Sequence, residues 1–158
     1  DRWLYLPDMD LVKRIAASDQ RTSFVGSDYF YEDVSGRSLE ADRHELTGSD
    51  GDYYIINNTP LAPEQVEFSR YEMYIHKSTF IPVQTTYFDK QGEPYRIATA
   101  LAVSDIEGYP TVTSAKMQDL RSGSTTVMNY TAVDYNVELD DELFTERYLR
   151  RPPLRHLR

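Results

Sequence analysis

The sequence of 158 residues carries a formal net charge of −9 and no cysteine, which excludes disulfides and thiolate metal sites and disfavours nucleic acid, whose phosphates require clustered Lys and Arg. No apolar run is long enough for a membrane-spanning helix. The length suits one domain, expected over residues 1–151 with a C-terminal tail at 152–158, and the 13 tyrosines favour strands whose rings are buried and hydroxyls wet.

In chain order, Trp3 to Leu6 reads as a short strand, ended by Pro7 and Asp8 and paired with Leu11 to Ala16. A polar break follows from Ser18 to Ser23. Ser27 and Asp28 are good caps for a short helix over about Tyr29 to Val34, with acidic residues in its first turn. Leu39 to Leu46 reads as an exposed strand, Gly48-Ser49-Asp50-Gly51 as a hairpin turn, and Tyr53 to Asn57 as its partner.

From Arg70 to Asn136 the chain is strand-like with short polar breaks: Tyr71 to Ile75, Ile81 to Tyr87, Tyr95 to Val103, Thr111 to Met117 and Thr125 to Tyr135. Asp89-Lys90-Gln91-Gly92, Glu107-Gly108 and Ser122-Gly123 supply the turns. Loops this short join antiparallel neighbours, so the chain predicts one antiparallel sheet of about eight or nine strands. In the third of these segments one register holds Tyr95, Ile97, Thr99, Leu101 and Val103, the expected core side. The other holds Arg96, Ala98, Ala100, Ala102 and Ser104, and its small residues either seat a helix or clear space for a guest. After Val137 the period becomes helical. Asp140 caps, Asp141 and Glu142 fill the first turn, Leu143, Phe144 and Leu149 form a buried side, Glu146 pairs with Arg150, and Pro152-Pro153 ends the helix.

Catalytic chemistry is not legible. His44, His76 and His156 are far apart, no nucleophile pairs with a base, and the acidic pairs sit at turns where carboxylates serve local hydrogen bonds. Neither a metal nor a cofactor is expected. A curved sheet with aromatic and methionine side chains can instead hold an apolar guest, and the candidate lining is Phe30, Tyr71, Met73, Ile75, Val83, Tyr87, Ile97, Leu101, Met117 and Met128.

Several stretches together resemble bacterial outer-membrane lipoprotein-sorting proteins of the LolA-like superfamily: Arg2 to Pro7, Arg14-Ile15, Phe24 to Asp33, Tyr87-Phe88-Asp89 and Leu143 to Arg151. The block containing Gly26, Ser27, Asp28, Tyr31, Glu32 and Asp33 is the most specific, and its residues read as turn, cap and packing. The resemblance implies a mainly β fold, an antiparallel, strongly curved sheet forming an incomplete half β-barrel round a hydrophobic cavity lidded by small helices. It also implies an exported, periplasmic, non-catalytic protein that binds an acylated protein or lipid. An interaction or sensory domain that binds an envelope protein partner is the alternative. Members of this superfamily usually carry a signal peptide and a further N-terminal region, so a C-terminal portion or truncated domain is expected here.

Overall fold

The computed structural model describes residues 3–16 and 19–151; the expected stop at Pro152-Pro153 and the tail lie outside them. The chain divides into two compact units, one made of Asp1–Thr22 with Tyr135–Arg158 and the other of Ser23–Asp134.

In the first unit, β1 (Trp3–Leu6) pairs antiparallel with β2 (Leu11–Arg14) through a 3-10 turn at Pro7–Met9, and Asp10 closes it at φ 46°. Asp140 caps as expected, its side chain accepting the Glu142 N–H. The expected continuous helix is nevertheless split into a 3-10 turn at Asp141–Phe144 and the short helix α2 (Glu146–Arg150), with an extended Thr145 between them. This break turns Phe144 outward to 73% exposure, whereas Leu143 and Leu149 are half-buried. Arg150 donates to the carboxylate of Asp10 at 2.9 Å and to the Asp10 carbonyl at 3.1 Å.

The second unit is a seven-stranded antiparallel meander in which every strand pairs with its sequence neighbours: β3 (Asp42–Asp50), β4 (Tyr53–Pro60), β5 (Phe68–His76), β6 (Pro82–Asp89), β7 (Pro94–Ile106), β8 (Tyr109–Asp119) and β9 (Thr125–Asn129). The sheet is curved and does not close, because β3 and β9 are its two edges. This is the expected incomplete barrel, but its sheet has seven strands and not the expected eight or nine, because β1 and β2 form a sheet of their own, and two strands differ in extent. The strand expected over Leu39–Leu46 starts at Asp42 after a 3-10 turn at Leu39–Ala41, and β9 ends at Asn129 rather than Tyr135. Gly48 lies within β3 at a register shift, and the turn follows at Gly51. Glu107 and Gly108 both have positive φ, the requirement of a two-residue type I′ hairpin, and the Asp105 carboxylate receives the Gly108 N–H.

Phe68 is fully buried at the centre of the core, with Tyr71 and Tyr95 beside it and Val66, Met73 and Tyr87 packed round them. The Phe68 ring meets the rings of Tyr71 and Tyr87 at centroid distances of 5.6 Å. The core side of β7 differs from expectation. Beyond Tyr95 the large register runs out to solvent, with Leu101 50% and Val103 43% exposed, while Arg96 of the small register is 1% exposed. Register shifts between Ala100 and Ala102 and between Ala102 and Val103 turn this end of the strand away from the covered face.

The residues before the sheet form helix α1 (Tyr31–Ser35), preceded by a loop that closes through an isolated bridge between Ser23 and Phe30. Within the loop the Ser27 N–H bonds the Phe24 carbonyl across Val25 and Gly26, whose φ angles are 51° and 77°. Glycine takes that conformation readily, but a β-branched residue does so at a cost of about 1–2 kcal/mol. Val25 is exposed, so its side chain offers little packing in return. Replacing Val25→Asn should raise stability by about 1 kcal/mol, read as a higher denaturant midpoint with an unchanged m-value.

Candidate functional site

Opposed residues in an antiparallel ladder share a face. The pairing of Tyr71 with Tyr87, Tyr87 with Arg96, Thr85 with Ala98, and Ala98 with Met117 therefore defines one face of the sheet. Helix α1 is fastened to that face. Arg96 Nη2 donates to the Asp33 carboxylate at 2.5 Å and to the Asp28 carbonyl at 2.8 Å. The guanidinium lies 3.8 Å from the Phe30 ring centroid and 5.4 Å from that of Tyr87. The same Asp33 oxygen accepts the Phe30 N–H at 2.6 Å, so one carboxylate caps the helix and anchors it.

Ser27 and Asp28 do not cap α1. The Ser27 hydroxyl donates to the Phe24 carbonyl at 2.6 Å inside the loop. The Asp28 carboxylate accepts from Thr126 at 2.7 Å and from Ser124, and the Asp28 N–H donates to the Thr126 hydroxyl at 3.0 Å. Ser27 thus closes the loop and Asp28 ties it to β9, and neither caps because the helix starts at Tyr31, two residues later than expected.

On the other side of α1, Arg37 makes a two-bonded pair with the buried Asp42 at 2.7 and 2.9 Å and reaches Glu32 at 3.0 Å. The Asp42 carboxylate also receives the Tyr71 hydroxyl at 2.8 Å. Burial, and then this bond, push the Tyr71 phenol upward, and the bond to Asp42 does the same for the Arg37 guanidinium. Next to this network His44 presents both ring nitrogens to oxygens, Asn58 Oδ1 at 2.6 Å and the Leu39 carbonyl at 2.8 Å. The Asn58 amide nitrogen donates to the Ile56 and Tyr71 carbonyls, so its oxygen is left as an acceptor. Two acceptors favour the imidazolium, and the bond to Asn58 contributes most to raising the His44 pKa, followed by that to Leu39.

Two cavities border α1. The larger, about 350 Å³, is lined by Val34, Val112, Ala115, Met128, Tyr130 and Val133 together with Tyr29, Asp33 and Thr111. The smaller, about 210 Å³, adds Glu32, Gly36, Arg37, Tyr87, Ala98 and Met117 to the shared Tyr29 and Asp33. Both kinds of occupant expected for the small-residue row are thus present beside Ala98: a helix, and space.

Of the sequence candidates, Met128 lines the larger cavity and Tyr87 and Met117 the smaller, with Phe30 above on Arg96. Tyr71 and Met73 belong to the Phe68 core on the same face. Ile75 and Val83 lie half-buried beside a register shift at the far end of β5 and β6 and line neither cavity. Ile97 pairs with Thr86 and Gln118, which puts it on the opposite face, and Leu101 is exposed. The principal residues missed were Tyr29, Asp33 as a lining residue, Val112, Ala115, Tyr130 and Val133. The first two lay inside the block already singled out. Among the described residues no group of three His, Asp or Glu side chains is placed to hold a metal, and no helix is long and apolar enough to cross a membrane.

Residues 1–151 match a family model whose description reads "-like: Uncharacterized protein". The chain belongs to that family. Among solved structures it is similar to a DUF1329 family protein from Desulfovibrio piger ATCC 29098, at 30% identity and a TM-score of 0.83 over 93% of this chain and 63% of that one. It is also similar to a domain assigned as an outer membrane lipoprotein-sorting protein from Vibrio parahaemolyticus, at 22% identity and a TM-score of 0.82 over 94% and 65%. A third is a LolA superfamily protein from Nitrosomonas europaea, at 21% and 0.68 over 92% and 66%. The chain thus has a LolA-like fold and spans about two thirds of the length of these structures. No curated protein matches it.

Substituting Arg96→Met should destabilise the protein by about 3–5 kcal/mol, because Asp33 stays buried without its cation. Arg150→Met, at an exposed pair, should cost no more than about 1 kcal/mol; denaturant unfolding of both variants checks the contrast. His44 supplies a pH signature. Its folded pKa is raised, so its contribution is complete below the unfolded value near pH 6.5 and is lost as pH rises through the folded value. The denaturant midpoint difference between pH 5.5 and pH 8 should shrink in His44→Gln.

Proposed function

We propose that this chain is a carrier-type, non-catalytic domain that holds an acyl chain or another hydrophobic ligand between α1 and the sheet, in the periplasm. The observation that carries this reading is the 350 Å³ cavity, whose walls are largely aliphatic and aromatic and whose volume lies in the range of small-molecule sites. Each methylene buried there would contribute about 0.8 kcal/mol before ordering costs. Val112, Ala115, Met128 and Val133 offer such a ligand contact area with little directional hydrogen bonding, which suits a carrier of chemically similar chains. The fold agrees, since the similar solved structures include a lipoprotein-sorting domain and a LolA superfamily protein.

The test is native mass spectrometry of gently purified protein and of Ala115→Trp, which places an indole in the cavity. The expected result is bound lipid mass on the wild type and its loss from the variant, with the circular dichroism spectrum retained. A wild type that never carries or takes up an apolar ligand would contradict the proposal. A stoichiometric protein partner without lipid would favour an envelope interaction domain instead.

A further inference from the structure

At one end of the sheet β7 and β8 run on as a two-stranded ribbon. The ladder of β6 on β7 ends at Gln84 and Thr99, β6 itself begins at Pro82, and β9 reaches no further along β8 than Ser114. The four pairs from Val103 with Val112 to Ile106 with Tyr109 therefore have no neighbouring strand among the described residues. A lone two-stranded hairpin is marginal in water. This one also leaves Leu101, Val103 and Tyr109 exposed.

The two edges of the ribbon differ. The two-residue turn at Glu107-Gly108 makes Ile106 and Tyr109 the closing hydrogen-bonded pair, and bonded and non-bonded pairs then alternate. Ser104 is bonded to Thr111, whereas Asp105 opposite Pro110 and Val103 opposite Val112 turn their backbone groups outward. Pro110 fits this alternation because it has no N–H to direct at β7. On the β8 edge it leaves no donor, and further along the Thr113 carbonyl accepts the Tyr130 N–H at 2.9 Å. On the β7 edge Val103 and Asp105 each present an N–H and a C=O that meet no partner among the described residues. Proteins ordinarily guard such an edge with charge or proline, as β3 does with Asp42, Arg43, His44 and Glu45. Residues 100–104 carry neither. The register shifts near Ala102 twist the ribbon, but the four pairs beyond them are regular.

Charge selects what can pair there. From residue 97 to 115 the chain has two carboxylates, Asp105 and Glu107, and no Lys, Arg or His. A second copy would bring the same carboxylates and its own net charge of −9, whereas a cationic segment is attracted. We propose that the β7 edge at Val103 and Asp105 accepts an added strand from a cationic partner protein. The strand is an extended segment, antiparallel like every pairing in this sheet, with a β-branched residue opposite Val103 and Lys or Arg beside Asp105 and Glu107. In strand addition of this kind the main chain supplies affinity and the alternating side chains supply choice. The proposal does not depend on a ligand in either cavity.

The test is NMR titration of the full chain with the peptide acetyl-KKTVTVT-amide and with a second peptide in which Glu replaces both Lys. The Lys peptide should slow amide exchange at Val103 and Asp105 saturably, and salt should weaken its binding. Val103→Pro removes an outward donor without breaking a bond between β7 and β8. It should abolish the binding while the amides of Ser104 and Thr111 stay protected. The double substitution Asp105→Asn and Glu107→Gln keeps an acceptor for the Gly108 N–H, and should weaken the Lys peptide about threefold and remove its advantage over the Glu peptide. No saturable binding of the Lys peptide, equal binding of the Glu peptide, or binding that Val103→Pro leaves intact would each overturn the proposal. Protection of Val103 that grows with protein concentration in the absence of peptide would overturn it in favour of a second copy of this chain.

Discussion

The structure of the larger unit depends on one buried cation. Arg96 sits in the middle of a strand, 1% exposed, with its guanidinium against the Phe30 ring and its charge met by Asp33. A buried ion pair adds little net stability over well-packed apolar residues, but removing one member leaves a charge that water cannot reach. That asymmetry makes Arg96 a specificity device. It requires a carboxylate and an aromatic ring at one place on the sheet, and α1 with its preceding loop brings both. A helix of five residues has no stability of its own, so its existence follows from this attachment.

The remaining polar contacts fix the ends of the same segment. Asp28 ties the loop to Ser124 and Thr126 on or next to β9, and Arg37 ties the exit of α1 to Asp42 at the start of β3. The two edge strands of an unclosed sheet are therefore joined to one short stretch, residues 28–37, that crosses its covered face. A sheet that closed into a barrel would leave no such interval. Here the interval is bridged by charge and hydrogen bonds at its ends, and its middle is left partly empty. The cavities lie where small side chains, Ala98 and Ala115, face the helix instead of filling the space.

Much of the fold was readable because a meander is a local structure. Alternation marked the strands, and Asp89 to Gly92, Glu107-Gly108 and Ser122-Gly123 marked the turns, so each pairing followed from the one before it. The candidate site was less legible, for reasons that particular residues illustrate. Period-two alternation shows that Arg96 and Ala98 share a face, but not that the face is covered; an arginine among small residues reads as solvated until Asp33, 63 positions away, is placed beside it. Leu101 looked like core, yet two register shifts near Ala100 and Ala102, in a stretch without glycine or proline, carry the end of β7 away from the helix, while Ile97, which precedes those shifts, simply alternates onto the face opposite Ala98. Tyr29 carried the one usable signal that was passed over. It lies within the Gly-Ser-Asp block, and a tyrosine at a buried position raises the question of where its hydroxyl is satisfied.

The central claim is that the space between α1 and the sheet is a ligand site rather than a packing defect. Methyl-resolved NMR of the methionines during titration with methyl decanoate addresses it directly, because Met128 and Met117 line the two cavities, Met73 lies in the Phe68 core and Met9 in the other unit. Saturable shifts are expected at Met128 first and Met117 second, with intermolecular contacts from Met128 to the ligand chain and an unmoved Met9. Shifts at Met9 alone, or equal small shifts at all four without saturation, would contradict it.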